Sequence, residues 1–198
     1  MFKLLLLVFP IFVFSTVLKV GKNEQFTTIK QAVSAAKSGD SILVHRGIYK
    51  EGNINITKSL SLIGIGLPIL DGEMKYEIIS FRANHILMKG FKIINSGEDE
   101  IANIGAVRLY DSQFSTIENN IFENNYFGIY VQRGFRCLIQ NNRIISHRAS
   151  SQEGSGDGIH AWVSEELWIK KKIIILKATK MEFIWKKSSN RTSTTTIL

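Results

Sequence analysis

Histidine, methionine and cysteine are the residue types in this chain that could bind a soft metal ion such as copper. None of them forms a compact ligand motif, and His85 and Met88, three residues apart, would point to opposite faces of a strand. His147 and His160 flank a polar segment, 146–156, and could approach each other there. We therefore predict His147 and His160 as the first candidates for metal ligands, beside the simpler interpretation that they are ordinary surface histidines. The other candidates are His45, His85, Met74, Met88 and Cys137.

A second possible chemistry is acid–base cleavage of a polysaccharide. That reaction needs two carboxylates, or a carboxylate and a basic residue, on one outer face. Nothing in the sequence aligns the acidic candidates, and Asp111 and Asp157 fall in different phases of the repeat described below. The acidic candidates are Asp71, Asp111, Asp157, Glu118 and Glu123, and the aromatic residues that could stack on sugar rings or pack between coils are Tyr110, Tyr126, Tyr130 and Trp162.

An internal repeat must position these residues. Segments 105–125 and 127–148 each carry a glycine, an alternating apolar run, a polar turn, a second apolar run and a pair of asparagines. The pair Asn119-Asn120 recurs as Asn141-Asn142, a step of 22 residues, and a third copy begins at Asp157. A fixed step with period-two alternation predicts an all-β solenoid, a parallel β-helix with coils of about 22 residues.

The repeat also predicts an interior and a structural turn. Asparagine tolerates the left-handed backbone of a sharp turn, and stacked asparagine side chains can hydrogen-bond along the axis. We therefore interpret Asn119, Asn120, Asn141 and Asn142 as a turn ladder, and a role in contacting sugar or metal is the alternative. The residues predicted to fill the interior are Val107, Leu109, Ile117, Ile129, Val131, Leu138 and Ile139.

The N-terminal region predicts a signal for export of the protein and a helix that caps the solenoid. Residues 1–15 resemble a secretory signal peptide, with Lys3 before an apolar run that is short for a membrane span. The β-helix domain is expected over 16–170, and it would then lie in the periplasm. Residues 26–37 have the apolar spacing of one short amphipathic helix, which would cap the open end of the solenoid.

The basic charge belongs to the C-terminal segment. The net charge is +8, but residues 169–198 contain eight lysines and arginines and one glutamate, and the rest of the chain is nearly neutral. No nucleic-acid-binding motif accompanies this charge, so we expect no nucleic-acid partner. Cys137 is the single cysteine, which excludes an internal disulfide, and it lies in an apolar run that predicts burial.

The repeat stops at a run of lysines, 170–172. The spacing from Gly105 to Asn119 predicts another asparagine pair beginning at 172, and it is missing. If the lysine codons are all adenine and the codons after them are chosen suitably, a shifted reading frame restores an asparagine pair and a DGIY sequence in register. We therefore predict that 171–198 is frameshifted, non-native sequence and that the β-helix is incomplete. A divergent basic tail is the alternative.

These segments together resemble known families. Residues 28–72 resemble the opening of exported right-handed β-helix proteins in general. The pieces IENNIFENNYFGIYV, NNRIISHR and GDGIHAW resemble the NosD family, and the likeness covers about 26–170. NosD proteins are periplasmic accessory proteins for maturation of the copper enzyme nitrous oxide reductase.

The resemblance implies a right-handed parallel β-helix and a non-catalytic role. The expected partners are ABC transporter subunits and a copper enzyme or copper chaperone; copper is a possible ligand and no small-molecule substrate is implied. No catalytic motif is available to carry over. The alternative function is a carbohydrate-binding or polysaccharide-cleaving β-helix. Pectin methylesterases share the opening, but their D-F-I-F-G and L-G-R-P-W signatures are absent here.

Overall fold

The chain winds into a solenoid of three parallel sheets, which confirms the predicted all-β parallel β-helix. The structure, a computed structural model, describes residues 15–98, 104–145 and 158–170, and the backbone of two further strands at 174–176 and 182–184. After the first strand, successive strands pass from sheet A to sheet B to sheet C, and each pairs in parallel with the strand one coil away. The predicted signal peptide falls almost wholly outside the described residues and stays a prediction.

Sheet A contains β1 (Val17–Val20), β2 (Ser41–His45), β5 (Ser61–Ile65), β8 (Leu87–Lys89), β11 (Thr116–Glu118), β14 (Leu138–Gln140) and β17 (Trp168–Lys170). Sheet B contains β3 (Ile48–Tyr49), β6 (Ile69–Asp71), β9 (Lys92–Ile94), β12 (Ile121–Glu123), β15 (Arg143–Ile145) and β18 (Ile174–Leu176). Sheet C contains β4 (Ile54–Ile56), β7 (Ile79–Phe81), β10 (Gly105–Tyr110), β13 (Phe127–Gln132), β16 (Ile159–Trp162) and β19 (Glu182–Ile184). Strands β18 and β19 lie in the segment predicted to be frameshifted, and that interpretation stays a prediction.

Coil length varies around the predicted step. Thr116 pairs with Leu138, the expected 22 residues later. The coil before it is longer, because Leu87 pairs with Thr116, and so is the coil after it, because Leu138 pairs with Trp168. The strands nevertheless keep their register, so the additional residues are accommodated between strands.

The core runs through the centre of the coils as a column of apolar side chains. Period-two alternation sends every second residue inward, and six of the seven predicted interior residues are fully buried. Leu138 is the exception. Ile139 pairs with the inward-facing Ile117, so Leu138, the residue before Ile139 in the strand, faces outward. The six buried residues are Val107, Leu109, Ile117, Ile129, Val131 and Ile139.

A short helix covers the N-terminal end of this core. Helix α1 (Ile29–Ala35) is shorter than the predicted 26–37, since Thr28 is its N-cap and forms a capping box with Gln31. The Glu51 carboxylate accepts hydrogen bonds from the backbone N–H groups of Ile29 and Lys30, at 2.8 and 2.9 Å. Within the described ranges, no helix has the length and hydrophobicity needed to cross a membrane.

The predicted asparagines lie at the corner between sheets A and B. The first residue of each pair, Asn119 or Asn141, has the left-handed φ of 55°. In the preceding coil Gly90 has a φ of 83°, and its N–H donates to the Asn119 carbonyl. These positions make the turn, which is why glycine and asparagine occupy them.

The second residue of each pair forms a buried ladder. The Asn142 side-chain oxygen accepts from the backbone N–H and the amide group of Asn120, at 3.0 and 3.1 Å, and its amide donates to the Ile117 carbonyl at 2.8 Å. The Asn120 oxygen in turn accepts from the Phe91 N–H at 3.1 Å. Each asparagine thus satisfies backbone groups of an adjacent turn that cannot reach water.

Candidate functional site

Of the two first candidates for metal ligands, His147 and His160, only His160 lies within the described residues. It occupies β16 on the outer face of sheet C, and its ring centre lies 5.0 Å from that of Phe127 and 4.7 Å from that of Tyr130. Cys137 and Met88 are buried in the core, away from this outer face. His147 lies outside the described residues, so the pairing of His147 with His160 stays a prediction.

Aromatic rings lie next to His160, and copper binding at this residue stays a prediction. The rings of Phe127 and Tyr130 themselves offer no nitrogen or sulfur donor to a soft metal. In the part of the chain that the structure describes, no group of three histidine, cysteine or carboxylate side chains could hold a metal ion.

The outer face of sheet C instead carries two columns of polar and aromatic side chains. Register places Ser80, Arg108, Tyr130 and His160 in one column, and Tyr110, Gln132 and Trp162 in the next. Neighbouring strands in such a sheet are about 4.8 Å apart, so residues of one column contact each other directly. We call Glu77, Arg108, Tyr110, Tyr130 and Gln132 the sheet C cluster.

Arg108 is the centre of the sheet C cluster. Its Nη1 lies 3.7 Å from Oε2 of Glu77, and its Nη2 donates to Oε1 of Gln132 at 2.5 Å. The Tyr110 hydroxyl lies 3.1 and 3.3 Å from the two Glu77 oxygens, and the Ser80 hydroxyl donates to Oε1 of the same carboxylate. Burial raises the pKa of Tyr110, and the Glu77 charge raises it further, so the phenol stays protonated and can donate to Glu77.

Guanidinium groups lie over the aromatic rings of this face. The Arg108 guanidinium carbon lies 4.5 Å from the ring centre of Tyr110 and 4.2 Å from that of Tyr130. Arg82 lies 3.6 Å from the Tyr110 ring centre, and Arg133 lies 5.9 Å from that of Trp162. These are cation–π distances, so the rings and the arginines hold each other in place.

The predicted sugar-stacking aromatics therefore differ in what they present to solvent. Tyr126 and Tyr130 are buried, and Tyr110 has guanidinium groups against its ring. Trp162, with 37% of its surface exposed, is the one of the four that projects into solvent.

The predicted carboxylates are distributed over different parts of the solenoid. Asp111 follows β10 at the edge of sheet C, where Nε and Nη2 of Arg133 bind its two oxygens at 2.5 and 2.7 Å. The hydrogen bond from Arg133 holds the pKa of Asp111 below its usual value. Glu118 lies on sheet A and accepts from the Gln140 amide at 2.8 Å.

Sheet B holds the remaining pair. Asp71 and Glu123 share one register column but are separated by the coil that carries Ile94. Each has a lysine partner, Lys50 at 3.7 Å from Asp71 and Lys92 at 2.7 Å from Glu123. Asp157 lies outside the described residues.

Sequence reasoning missed the contact of Glu77 with Arg108. The 22-residue step does place Tyr130 beside Arg108, and this signal was available in the sequence. Glu77 lies 31 residues before Arg108, and it contacts Arg108 only because the coil between them is longer than the 22-residue step.

The fold and this surface define the class of a parallel β-helix with a polar, aromatic outer face. A family model described as a right handed beta helix region matches residues 21–173, so the chain belongs to this family. The match confirms the predicted right-handed parallel β-helix, and the narrower NosD resemblance stays a proposal. The comparison with curated protein sequences gives no match.

Similar solved structures include three pectin methylesterases, all at low similarity. One, in complex with hexasaccharide VII, is 16% identical with a TM-score of 0.44 over 80% of this chain and 66% of that one. PemA from Erwinia chrysanthemi is 17% identical with a TM-score of 0.41, over 77% and 66%. A partly deglycosylated enzyme from Aspergillus niger is 16% identical with a TM-score of 0.33, over 80% and 74%. The chain spans just under two thirds of the first two, and the likeness concerns the fold alone.

Proposed function

We propose that this protein is an exported, non-catalytic β-helix accessory protein of the NosD type. It acts in the periplasm with an ABC transporter in the maturation of the copper centre of nitrous oxide reductase. The observation that carries the proposal is the composition of the outer face of sheet C. The segments FGIYV and GDGIHAW, which resemble NosD, place Tyr130 and His160 side by side there, next to Arg108.

This composition supports binding to a partner. Arginine, tyrosine and tryptophan are the residues that most often dominate the energetics of protein interfaces. On this face Arg82, Arg133 and Trp162 are exposed, whereas Arg108 and Tyr130 are buried. Glu77, the acidic residue of the sheet C cluster, is nearly buried and binds Arg108 and Tyr110. Its structural contacts leave it poorly placed to exchange a proton with a substrate.

Deletion of the complete gene in the organism that carries it tests the proposal. We expect nitrous oxide reductase to accumulate without its full copper content, as measured by metal analysis of the purified enzyme. The wild-type gene supplied in trans should restore the copper content. A reductase with normal copper content in the deletion strain would overturn the proposal.

The interpretation of the C-terminal segment is tested at the DNA level. Resequencing of the codons for 170–173 should reveal a shifted frame that continues with further asparagine pairs and DGIY sequences. If the frame is as given and no such coils follow, the frameshift interpretation is wrong.

The second candidate is a carbohydrate-binding or polysaccharide-cleaving β-helix. The observation that favours it is Trp162, whose exposed indole beside Arg133 could contact a sugar ring. Incubation of the protein with pectin or alginate, followed by chromatography of the products, is the test. Cleavage of either polymer would replace the maturation proposal with this one.

A further inference from the structure

We propose that the outer face of sheet C docks an acidic protein surface and that Arg82 is the anchor of this contact. The inference rests on the proposed function, because it states what chemistry the protein partner must present.

Arg82 is an exposed arginine that a neighbouring side chain holds in place. It directly follows β7, and its guanidinium carbon lies 3.6 Å from the Tyr110 ring centre. Tyr110 is itself fixed, since its hydroxyl hydrogen-bonds to Glu77 and Arg108 packs against its ring. A guanidinium stacked on a fixed ring loses less conformational entropy on binding than a free side chain does.

The cations of this face are unequally neutralised. Arg108 forms an ion pair with Glu77, and Arg133 with Asp111. Over 15–98, 104–145 and 158–170, the ion pairs do not include Arg82, although its charge contributes to lowering the pKa of Asp111. Among the described residues of this face, these three arginines thus meet two carboxylates, and Arg82 is the arginine without one.

This arrangement fits a carboxylate more closely than a sugar ring. A sugar would require an open aromatic face next to Arg82, but the Tyr110 ring there has Arg82 and Arg108 against it. A carboxylate instead approaches the edge of a guanidinium group, which stacking leaves accessible, and can accept two parallel hydrogen bonds there. An acidic protein surface supplies such carboxylates on adjacent residues.

The first experiment measures binding of a fluorescein-labelled oligoglutamate peptide to the full chain by anisotropy at low salt. We expect the Arg82→Gln variant to bind about tenfold more weakly, the loss typical of one charge-assisted hydrogen-bonded contact. Arg46→Gln is the matched control, because Arg46 is also exposed but follows β2 of sheet A rather than a strand of sheet C. We expect it to change the affinity less than twofold.

The second pair of variants tests the stacking. Tyr110→Phe keeps the ring under Arg82 and its packing against Arg108 but loses the hydrogen bond to Glu77, so it should weaken binding less than Arg82→Gln does. Tyr110→Leu removes the ring and should reproduce most of the loss seen with Arg82→Gln. Circular dichroism melting of each variant shows that the fold is retained.

Three outcomes would overturn the inference. Equal losses for Arg82→Gln and Arg46→Gln would mean nonspecific attraction to a basic chain. Tighter binding of oligogalacturonate than of oligoglutamate, lost with Arg82→Gln, would assign the face to an acidic sugar. In the organism, normal reductase copper content in an Arg82→Gln strain, with loss of copper in the deletion strain, would refute this docking face and leave the proposed function standing.

Discussion

Asn120 should contribute more to stability than its exposed neighbour Asn119. Replacement of Asn120 by alanine leaves the Phe91 N–H and the Met88 carbonyl without their side-chain partner, and both contacts are buried. Stranding a buried polar group costs about 1–3 kcal/mol, so we expect Asn120→Ala to lower the free energy of unfolding by about 3 kcal/mol. Because Asn142 keeps its hydrogen bond from the backbone N–H of residue 120, the ladder is interrupted rather than lost.

Urea unfolding followed by circular dichroism measures this effect. With a slope of about 2 kcal/mol per molar, the midpoint should fall by about 1.5 M urea. The matched control is Asn119→Ala, which leaves the ladder intact. It should lower the free energy of unfolding by only about 1 kcal/mol, because alanine disfavours the left-handed backbone of this position. Asn119→Gly should be close to neutral, since glycine accepts that conformation.

Hydrogen exchange supplies a local measurement at the same site. The Phe91 amide should exchange faster in Asn120→Ala and at the wild-type rate in Asn119→Ala. An Asn120→Ala variant that unfolds at the same urea concentration as Asn119→Ala, or at a higher one, would show that the buried ladder does not hold the coils together.

Three further perturbations follow from other contacts. In Gly64→Ala the new Cβ would collide with the Gly90 carbonyl, so we expect the free energy of unfolding to fall by about 3 kcal/mol. In the control Gly39→Ala φ is positive but the space is open, so thermal melts should show a loss of only about 1 kcal/mol. Hydrogen bonds from the backbone N–H groups of residues 37 and 16 lower the pKa of Asp40 below 3.8, so the Asp40 carboxylate stabilises the fold above that pH and ceases to do so as the pH falls through its pKa in the folded protein. The difference in unfolding free energy between wild type and Asp40→Asn should therefore vanish in acid, and a difference that persists there would contradict this role of Asp40. Burial raises the pKa of the Cys137 thiol, so DTNB should react at pH 8 only after urea unfolding, and rapid labelling of the native protein would contradict its burial.

The fold could be predicted from the sequence because the repeat is visible in the order of the residues themselves. Alternation and a constant step identify the coils, and they place Ile117 and Ile139 in the same interior column. Leu138 was misplaced because two adjacent apolar residues leave the phase of a short strand ambiguous, and only pairing with the neighbouring coil settles it. Helix α1 was predicted too long because apolar spacing marks its face but the capping box at Thr28 sets its start.

A second asparagine pair escaped the sequence analysis. Asn124 and Asn125 lie at the corner between sheets B and C, where Asn124 donates to the Asn95 side chain at 2.7 Å and Asn125 accepts from the Ser96 N–H at 3.0 Å. The repeated ENN at 118–120 and 123–125 was the available signal. It does not recur in the following coil, so a search for repeats at one step passes over it.

The sheet C cluster could be predicted only in part, for a geometric reason. Residues one repeat step apart, such as Arg108 and Tyr130, fall in one column whenever the coil has its standard length. Glu77 reaches Arg108 across a longer coil, and the length of that coil is fixed by strand pairing rather than by local sequence.

The long coils have a consequence for how this solenoid can change over time. The step from β8 to β11 and the step from β9 to β12 are both 29 residues, whereas β11 to β14 and β12 to β15 are both 22. The difference enters between β9 and β10, since Ile94 and Gly105 are eleven residues apart where Glu123 and Phe127 are four apart. A chain of this design can therefore lengthen or shorten at the corner from sheet B to sheet C while the pairing of every other strand is kept. New segments could be acquired by evolution, or grafted by design, beside sheet C without a new scaffold.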